Sequence, residues 1–240
     1  MRVSLRSKRR VEVILDLFWS LPDSREFAGH DILLDDLFRA AQRRKCEVGA
    51  LLSDPEAAPE RAFRCVAGTL KVSKLLVSGR EILITILRPG SIWSDRAVLN
   101  GYWKGVFIEA MEPCEVVSVE AAAFEQVVRS APNFHAQFML RISEQISGAL
   151  TLLDDFHGRD VASRLARILV RFSKQYGVRT ESGVRIELPL THQDLANMIG
   201  TARETVSRNM ALFRQQGYVS DGHASTLEIF NLDSLERLMA

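Results

Sequence analysis

Cysteine is scarce in this chain, and what there is follows no pattern. Cys46, Cys65 and Cys114 are its only three in 240 residues, odd in number and far apart. With no C-x-x-C pair, neither a zinc knuckle nor a disulfide framework is indicated, and a reducing cytoplasm is the simplest setting. Histidine is absent between Asp31 and Ala131. That nearly removes a metal-dependent enzyme of the cupin kind, which needs two or three histidines and a glutamate converging on one ion. No apolar run is long enough to cross a bilayer. The candidate, Val11 to Leu21, is interrupted by Glu12 and Asp16 and is followed by no small-residue cleavage site. It reads as a short amphipathic helix docked on the protein rather than a signal peptide. The basic stretch before it, Arg2 to Arg10, leaves an arm touching DNA or an anionic surface as the alternative. Repeats and low-complexity tracts are lacking as well.

Net charge is almost nil, +1 from 31 basic and 30 acidic residues, but it is unevenly spread. Between Gly158 and Arg214, ten Arg and Lys stand against five Asp and Glu, a local +5 that leaves −4 for the rest. A basic C-terminal part beside an acidic N-terminal one fits phosphate contact by the former only. The 47% hydrophobic and 25% charged fractions are those of an ordinary globular protein with one or two domains.

From about Asp36 to Glu120 the pattern is one of short strands. Arg64–Ser73 is β-rich around Gly68, Glu81–Leu87 follows a turn at Ser78-Gly79, and Val106–Ala110 and Cys114–Val119 follow the turn signal Arg88-Pro89-Gly90-Ser91. Many short strands with turns between them predict a small barrel or jelly roll. A long helix then runs from about Pro132 or Asn133 to Phe156. His135, Met139, Ile142, Ile146, Ala149, Leu153 and Phe156 are spaced 4, 3, 4, 3, 4, 3, a heptad seam. A helix packed on its own domain would carry the same single seam. A further helix, Asp160 to Tyr176, has Val161, Leu165, Ile168, Leu169 and Phe172 as its apolar face, and Gly158-Arg159-Asp160 reads as a hinge before it. Gly177 to Leu188 is a connecting stretch with some strand character.

The most specific pattern lies between Leu190 and Arg208. Thr191 with Asp194, and Thr201 with Glu204, have the spacing of two consecutive capping boxes. Gly200 stands between them, where a tight turn needs a residue tolerant of positive φ. Ala196 is small where two helices must cross closely, and Leu195, Ile199 and Val206 supply a shared apolar core. In the second helix Val206, Met210 and Phe213 follow i, i+4, i+7 spacing and face that core. Arg203, Glu204, Ser207 and Arg208 cluster on a neighbouring face near the helix N-terminus, the end of a recognition helix that meets base edges. Arg can hold guanine O6 and N7 with two bonds, and Glu can accept from cytosine N4. A solvated face on an ordinary amphipathic helix is the bland alternative.

On these residues the segment resembles the DNA-binding domain of the Crp–Fnr family of bacterial transcription regulators. The likeness continues through Phe213–Ser220, with Gly217 ending the helix, then the turn Asp221-Gly222-His223 and Thr226–Phe230 as a two-stranded wing, with Asp233 capping a last helix to Met239. The resemblance implies an α+β fold with an N-terminal β-roll of the cyclic-nucleotide-binding kind, a long dimerisation helix and a C-terminal winged helix-turn-helix. The boundaries are 1–35 for an extension with a short helix, 36–122 for the β-roll, 123–158 for the dimerisation helix and 159–240 for the DNA-binding domain. It implies a homodimer joined through Met139, Ile142, Ile146, Ala149, Leu153 and Phe156. Double-stranded DNA would be held by Thr191, Gln193, Thr201, Arg203, Glu204, Thr205, Ser207 and Arg208. The half-site would be similar to the family's TGTGA, and RNA polymerase would be the protein partner. No enzyme activity, metal or membrane is implied.

Cyclic AMP is not the expected effector. In family members that bind it, a G-E-L and a later R-S-A hold the ribose and the cyclic phosphate. Here Arg88-Pro89-Gly90 matches the approach, but Ser94-Asp95 stands where G-E is expected and Lys104-Gly105 where R-S is expected. The loop between them is about one residue longer. Asp is one methylene shorter than Glu, and Lys cannot reproduce the bidentate Arg fork. Ala149 and Leu150 replace hydroxyls that would meet the base. Trp93, Ser94, Asp95, Lys104 and Gly105 form the candidate effector pocket, with Tyr102 and Trp103 nearby for a more apolar ligand; core packing is the alternative for these aromatics. Clustered N-terminal cysteines for an iron–sulfur centre are absent, and His30, His135 and His157 offer no pattern that selects a haem ligand. Redox sensing by the cysteines is an option, although lone cysteines in strands are usually inert core residues. A DNA-binding dimer with no effector, regulated by its abundance, is the remaining rival.

Overall fold

The computed structural model describes residues 32–53, 61–94, 105–130, 160–222 and 226–239. They fall into two compact units, one reaching Ser130 and the other beginning at Asp160.

The first unit contains α1 (Ile32–Arg39), β1 (Arg43–Cys46), β2 (Arg61–Ala67), β3 (Leu70–Leu75), β4 (Glu81–Leu87), β5 (Ile92–Trp93), β6 (Val106–Ala110), β7 (Cys114–Glu120) and α2 (Ala121–Ser130). Two antiparallel sheets, ordered β1-β7-β2-β5 and β4-β3-β6, enclose a core of Phe63, Leu70, Val72, Leu87, Ile108 and Val116, among others. The strict alternation of buried and half-buried residues along Val106–Ala110 is the period-two signature of a strand with one face inward. β7 departs from it, because Val116 faces the core between the sheets while Val117 and Val119 face a second cluster. That cluster is closed by Phe38 of α1 and Phe124 of α2, whose rings lie 6.3 Å apart. Residues 123–130, grouped with the dimerisation helix from sequence, therefore belong to a helix that covers the outer face of the roll.

All three cysteines are free and buried in the one core. Cys46 and Cys114 are direct partners across β1 and β7. Burial, then the neighbouring Cys114 thiol, pushes Cys65 up to about 12. Burial, then Cys46, does the same to Cys114, also to about 12. Thiolate is the reactive form, so these groups are packing residues at neutral pH.

The second unit contains α3 (Val161–Tyr176), β8 (Gly177–Arg179), β9 (Val184–Ile186), α4 (His192–Ile199), α5 (Arg203–Gln215), β10 (Val219–Asp221), β11 (Leu227–Ile229) and α6 (Leu232–Arg237). Asp160 caps α3 by accepting from the Ser163 backbone N–H at 2.7 Å. Leu165, Ile168, Leu169 and Phe172 are buried as their spacing requires, while Val161 is half-buried. Two expectations need correction. The wing sheet has four strands, ordered β10-β11-β9-β8, because the stretch after α3 folds into β8 and β9 and pairs with β11. The last helix is capped by Asn231, whose side chain accepts from Ser234 N–H at 3.0 Å; Asp233 lies in its first turn.

Gly68 closes the β2–β3 turn at φ 80°, and a Cβ there would stand 2.6 Å from the Pro113 carbonyl oxygen and 2.7 Å from Cys114 Cβ. Gly79 has nearly the same φ, 78°, with nothing within 4 Å of such a Cβ. Alanine at Gly79 should cost only the left-handed backbone, roughly 1–2 kcal/mol. Alanine at Gly68 should cost at least about 1 kcal/mol more from the clash with main chain. Urea unfolding of the two variants, followed by Trp fluorescence, measures the difference.

Candidate nucleic-acid interface

The site is built from α4, α5 and the turn between them. Thr191 and Asp194 form the expected capping box. Thr191 Oγ1 accepts from the Asp194 backbone N–H at 3.1 Å, and Asp194 Oδ2 accepts from the Thr191 backbone N–H at 2.9 Å. Gly200 then takes φ 66° and ψ 41°, and its N–H bonds the Ala196 carbonyl. Leu195, Ala196, Ile199 and Val206 are all buried where the helices meet.

The second capping box does not form. α5 begins at Arg203 with Ala202 as its N-cap residue, which offers no side-chain bond. Thr201 is one position too early, since its backbone N–H is spent on the Ala196 carbonyl, closing the end of α4 at 3.0 Å. The hydroxyl that the sequence assigned to α5 belongs to the turn before it.

Along α5, Val206, Met210 and Phe213 are buried, as their spacing predicts. Arg203, Glu204 and Arg208 are exposed on the first two turns, with Thr205 and Ser207 half-buried among them. Arg208 Nη2 donates to Thr205 Oγ1 at 3.2 Å, which lays the guanidinium back along the helix. On α4, Gln193 is exposed and donates to Asn197 Oδ1 at 2.8 Å. The far end of α5 is a Schellman cap. Gly217 sits at φ 71°, its N–H bonds the Arg214 carbonyl, and Tyr218 N–H bonds the Phe213 carbonyl at 2.9 Å. Arg214 pairs with Asp221 at 2.7 Å, tying α5 to β10. In the wing, Thr180 and Ser182 both donate to Glu228 Oε1 at 2.7 Å and hold that carboxyl below its ordinary value.

One contact was not legible in the sequence. His192, the first residue of α4, places Nδ1 2.9 Å from Ser207 Oγ on α5. Its partner lies 15 residues away, a separation to which no helical or strand period assigns contact. Burial lowers the His192 pKa below its ordinary 6.5; Arg214 and, less strongly, Arg203 act in the same direction, and Asp221 opposes them.

The candidate effector residues are less of a group. Trp93 is buried in the β-roll core and Ser94 is buried after it. Gly105, at φ 80°, accepts from Leu75 N–H at 2.7 Å and so closes the start of β6 against β3. Asp95, Tyr102, Trp103 and Lys104 lie outside the described residues, as do Met139, Ile142, Ile146, Ala149, Leu150, Leu153, Phe156, His135 and His157. Among the described residues no group of three His, Cys, Asp or Glu is placed to hold a metal, and no helix is long and apolar enough to cross a membrane.

Two family models match the chain, a cyclic nucleotide-binding domain over residues 43–131 and a Crp-like helix-turn-helix domain over residues 163–238. The chain belongs to the Crp–Fnr family. It is 27% identical to the global nitrogen regulator of Synechococcus elongatus over 192 residues, 79% of this chain and 86% of that one. It is 22% identical to the CRP-like cAMP-activated global transcriptional regulator of Mycobacterium tuberculosis over 160 residues, 67% and 71% of the two chains. The fold matches CooA from Carboxydothermus hydrogenoformans with a TM-score of 0.74 at 22% identity, covering 94% of this chain and 99% of that one. FixK2 from Bradyrhizobium japonicum superposes with a TM-score of 0.70 at 19% identity, covering 84% and 98%. As a family member this protein is a DNA-binding transcription regulator and not an enzyme.

The His192 environment makes stability pH-dependent. Its folded-state pKa lies below its unfolded 6.5, so near and below pH 6.5 the unfolded chain binds more protons than the folded one. The stability present above pH 6.5 is therefore lost as pH falls through the folded value. His192→Asn should show a shallower loss of Tm than the natural protein between about pH 6.5 and pH 5, read by differential scanning calorimetry.

Proposed function

We propose that the protein is a cytoplasmic homodimer that reads a twofold-symmetric operator through the first two turns of α5. The seam Met139, Ile142, Ile146, Ala149, Leu153 and Phe156 joins the protomers, and RNA polymerase is the protein partner. The observation that carries this reading is the exposed Arg203, Glu204 and Arg208 on a helix whose angle is fixed by the Thr191–Asp194 box and Gly200. Arg203 and Arg208 take guanine O6 and N7, and Glu204 accepts from cytosine N4. Thr191, Gln193 and Thr201 flank the helix at a position suited to phosphates, which fix register without reading sequence. Half-sites then lie one helical turn apart, roughly 34 Å, and each contains two G·C pairs. Selection from random DNA should return such palindromes. Arg208→Ala should lose ~1–3 kcal/mol of discrimination at one base pair and leave the others intact. Asymmetric or A·T-only sites would sink the reading.

The β-roll receives a signal that is not tightly bound cyclic AMP. Ser94-Asp95, Lys104-Gly105 and Ala149-Leu150 each replace a group that pairs with that nucleotide, at ~1–3 kcal/mol per lost contact. Three losses move a micromolar site towards millimolar. Isothermal titration with cyclic AMP should show no micromolar binding; a micromolar constant would mean that other residues of the loop from Asp95 to Gly105 hold the ribose and the cyclic phosphate.

A further inference from the structure

Ser207 lies four residues after Arg203 and three after Glu204, on the same face of α5, with Arg208 next to it in sequence. A serine hydroxyl carries one proton and two lone pairs and rotates to suit its partner. On an open helix face it would turn freely or bond its own backbone, and would present no fixed polarity to a base. Here it is held at 2.9 Å by His192 Nδ1, on a different helix. His192 is itself the residue after Thr191, inside a capping box that fixes the start of α4. The charged groups facing its ring are Arg203 and Arg214 from α5 and Asp221 from β10. Arg214 and Asp221 are paired with each other at 2.7 Å, and the hydroxyl of Ser207 is the group that meets Nδ1.

We propose that His192 is a specificity-determining positioning residue: its Nδ1 locks the Ser207 hydroxyl in one orientation, so that α5 reads a further base pair of each half-site by hydrogen-bond polarity. The proposal rests on α5 entering the major groove as described above. When Nδ1 accepts, the Ser207 proton is committed to the ring and a lone pair faces the groove, matching the amino groups of adenine or cytosine. When Nδ1 carries the proton it occupies one Ser207 lone pair, and the hydroxyl keeps both a hydrogen and a lone pair for the groove. The tautomer with its proton on Nε2 is therefore the one that fixes a single polarity. His192 touches no base in this scheme and acts only through Ser207.

The test uses the full chain, the operator recovered by selection from random DNA, and a panel with each half-site position substituted singly. Ser207→Ala and His192→Ala should each erase the preference at the same base pair, by about three- to tenfold, the worth of one hydrogen bond. The double variant should lose no more than either single one, as coupled groups do. His192→Asn places its amide at the Nδ1 position and should retain a preference at that base pair. His192→Gln reaches instead towards the Nε2 position and should not. This Asn–Gln pair separates positioning from folding and decides the matter if His192→Ala fails to fold. A uniform loss of affinity on all sequences with His192→Ala, or a preference lost at a different base pair from that of Ser207→Ala, would overturn the proposal. If Arg203→Ala and Arg208→Ala also leave every preference unchanged, the groove assignment itself fails, and the proposal with it.

Discussion

Gly200 turns the chain at φ 66° and ψ 41°, and the helices on both sides take their ends from that turn. An L side chain pays roughly 1–2 kcal/mol to adopt this conformation. The turn spends the backbone N–H groups of Gly200 and Thr201 on one carbonyl, that of Ala196, which is fully buried at the helix crossing. The angle of α5 is thus fixed by main-chain hydrogen bonds and by the absence of a large side chain at residue 196. The side chains of Arg203 and Arg208 are exposed and take no part in those main-chain bonds. Buried framework and exposed charged face are separate along the same thirteen-residue helix.

Periodicity and capping explain what was legible in advance. β6 alternates cleanly because one of its faces meets the core and the other does not. α3 and α5 bury the residues that a 3.6-residue period selects, apart from Val161, half-buried at the first position of α3. The Thr191–Asp194 box was readable because both partners lie within one turn. Thr201 misled for a physical reason: the same spacing occurs, but its backbone was already engaged in ending the previous helix. Asn231 and Asp233 pose a similar choice, and the side chain nearest the first free amide wins. What stayed hidden was non-local. α1 and α2 cover β7 from both ends of the roll, β9 joins the wing by pairing with β11 about forty residues on, and His192 meets Ser207 across a helix crossing. No local pattern encodes such pairings.

The β-roll and the DNA-reading unit use polar chemistry differently. In the roll, the thiols that were candidates for redox sensing are buried in the core; Cys46 faces Cys114 across β1 and β7, and burial raises Cys65 and Cys114 out of the range where thiolate forms. Trp93 likewise fills core rather than lining an open surface. In the second unit, polar groups hold secondary-structure ends together: Asp160, Thr191, Asp194, Asn231 and Arg214 each satisfy or brace a terminus. Short helices need such bonds, because their free ends are a large fraction of their length.

The sheet order β1-β7-β2-β5 also sets a timetable for synthesis. Among the described residues β1 pairs only with β7, and the pairing of Arg43 with Val117 spans most of the roll. β1 must wait for the last strand of the roll, β7, before its ladder can close. The roll therefore has a high contact order, and its early strands leave the ribosome with unpaired edges. The helix-turn-helix, by contrast, draws its contacts from neighbours in sequence and can form as soon as it emerges. The β-roll, translated before the second unit, is thus the part whose registration lags furthest behind its own synthesis and whose exposed strands most need shielding in the interval.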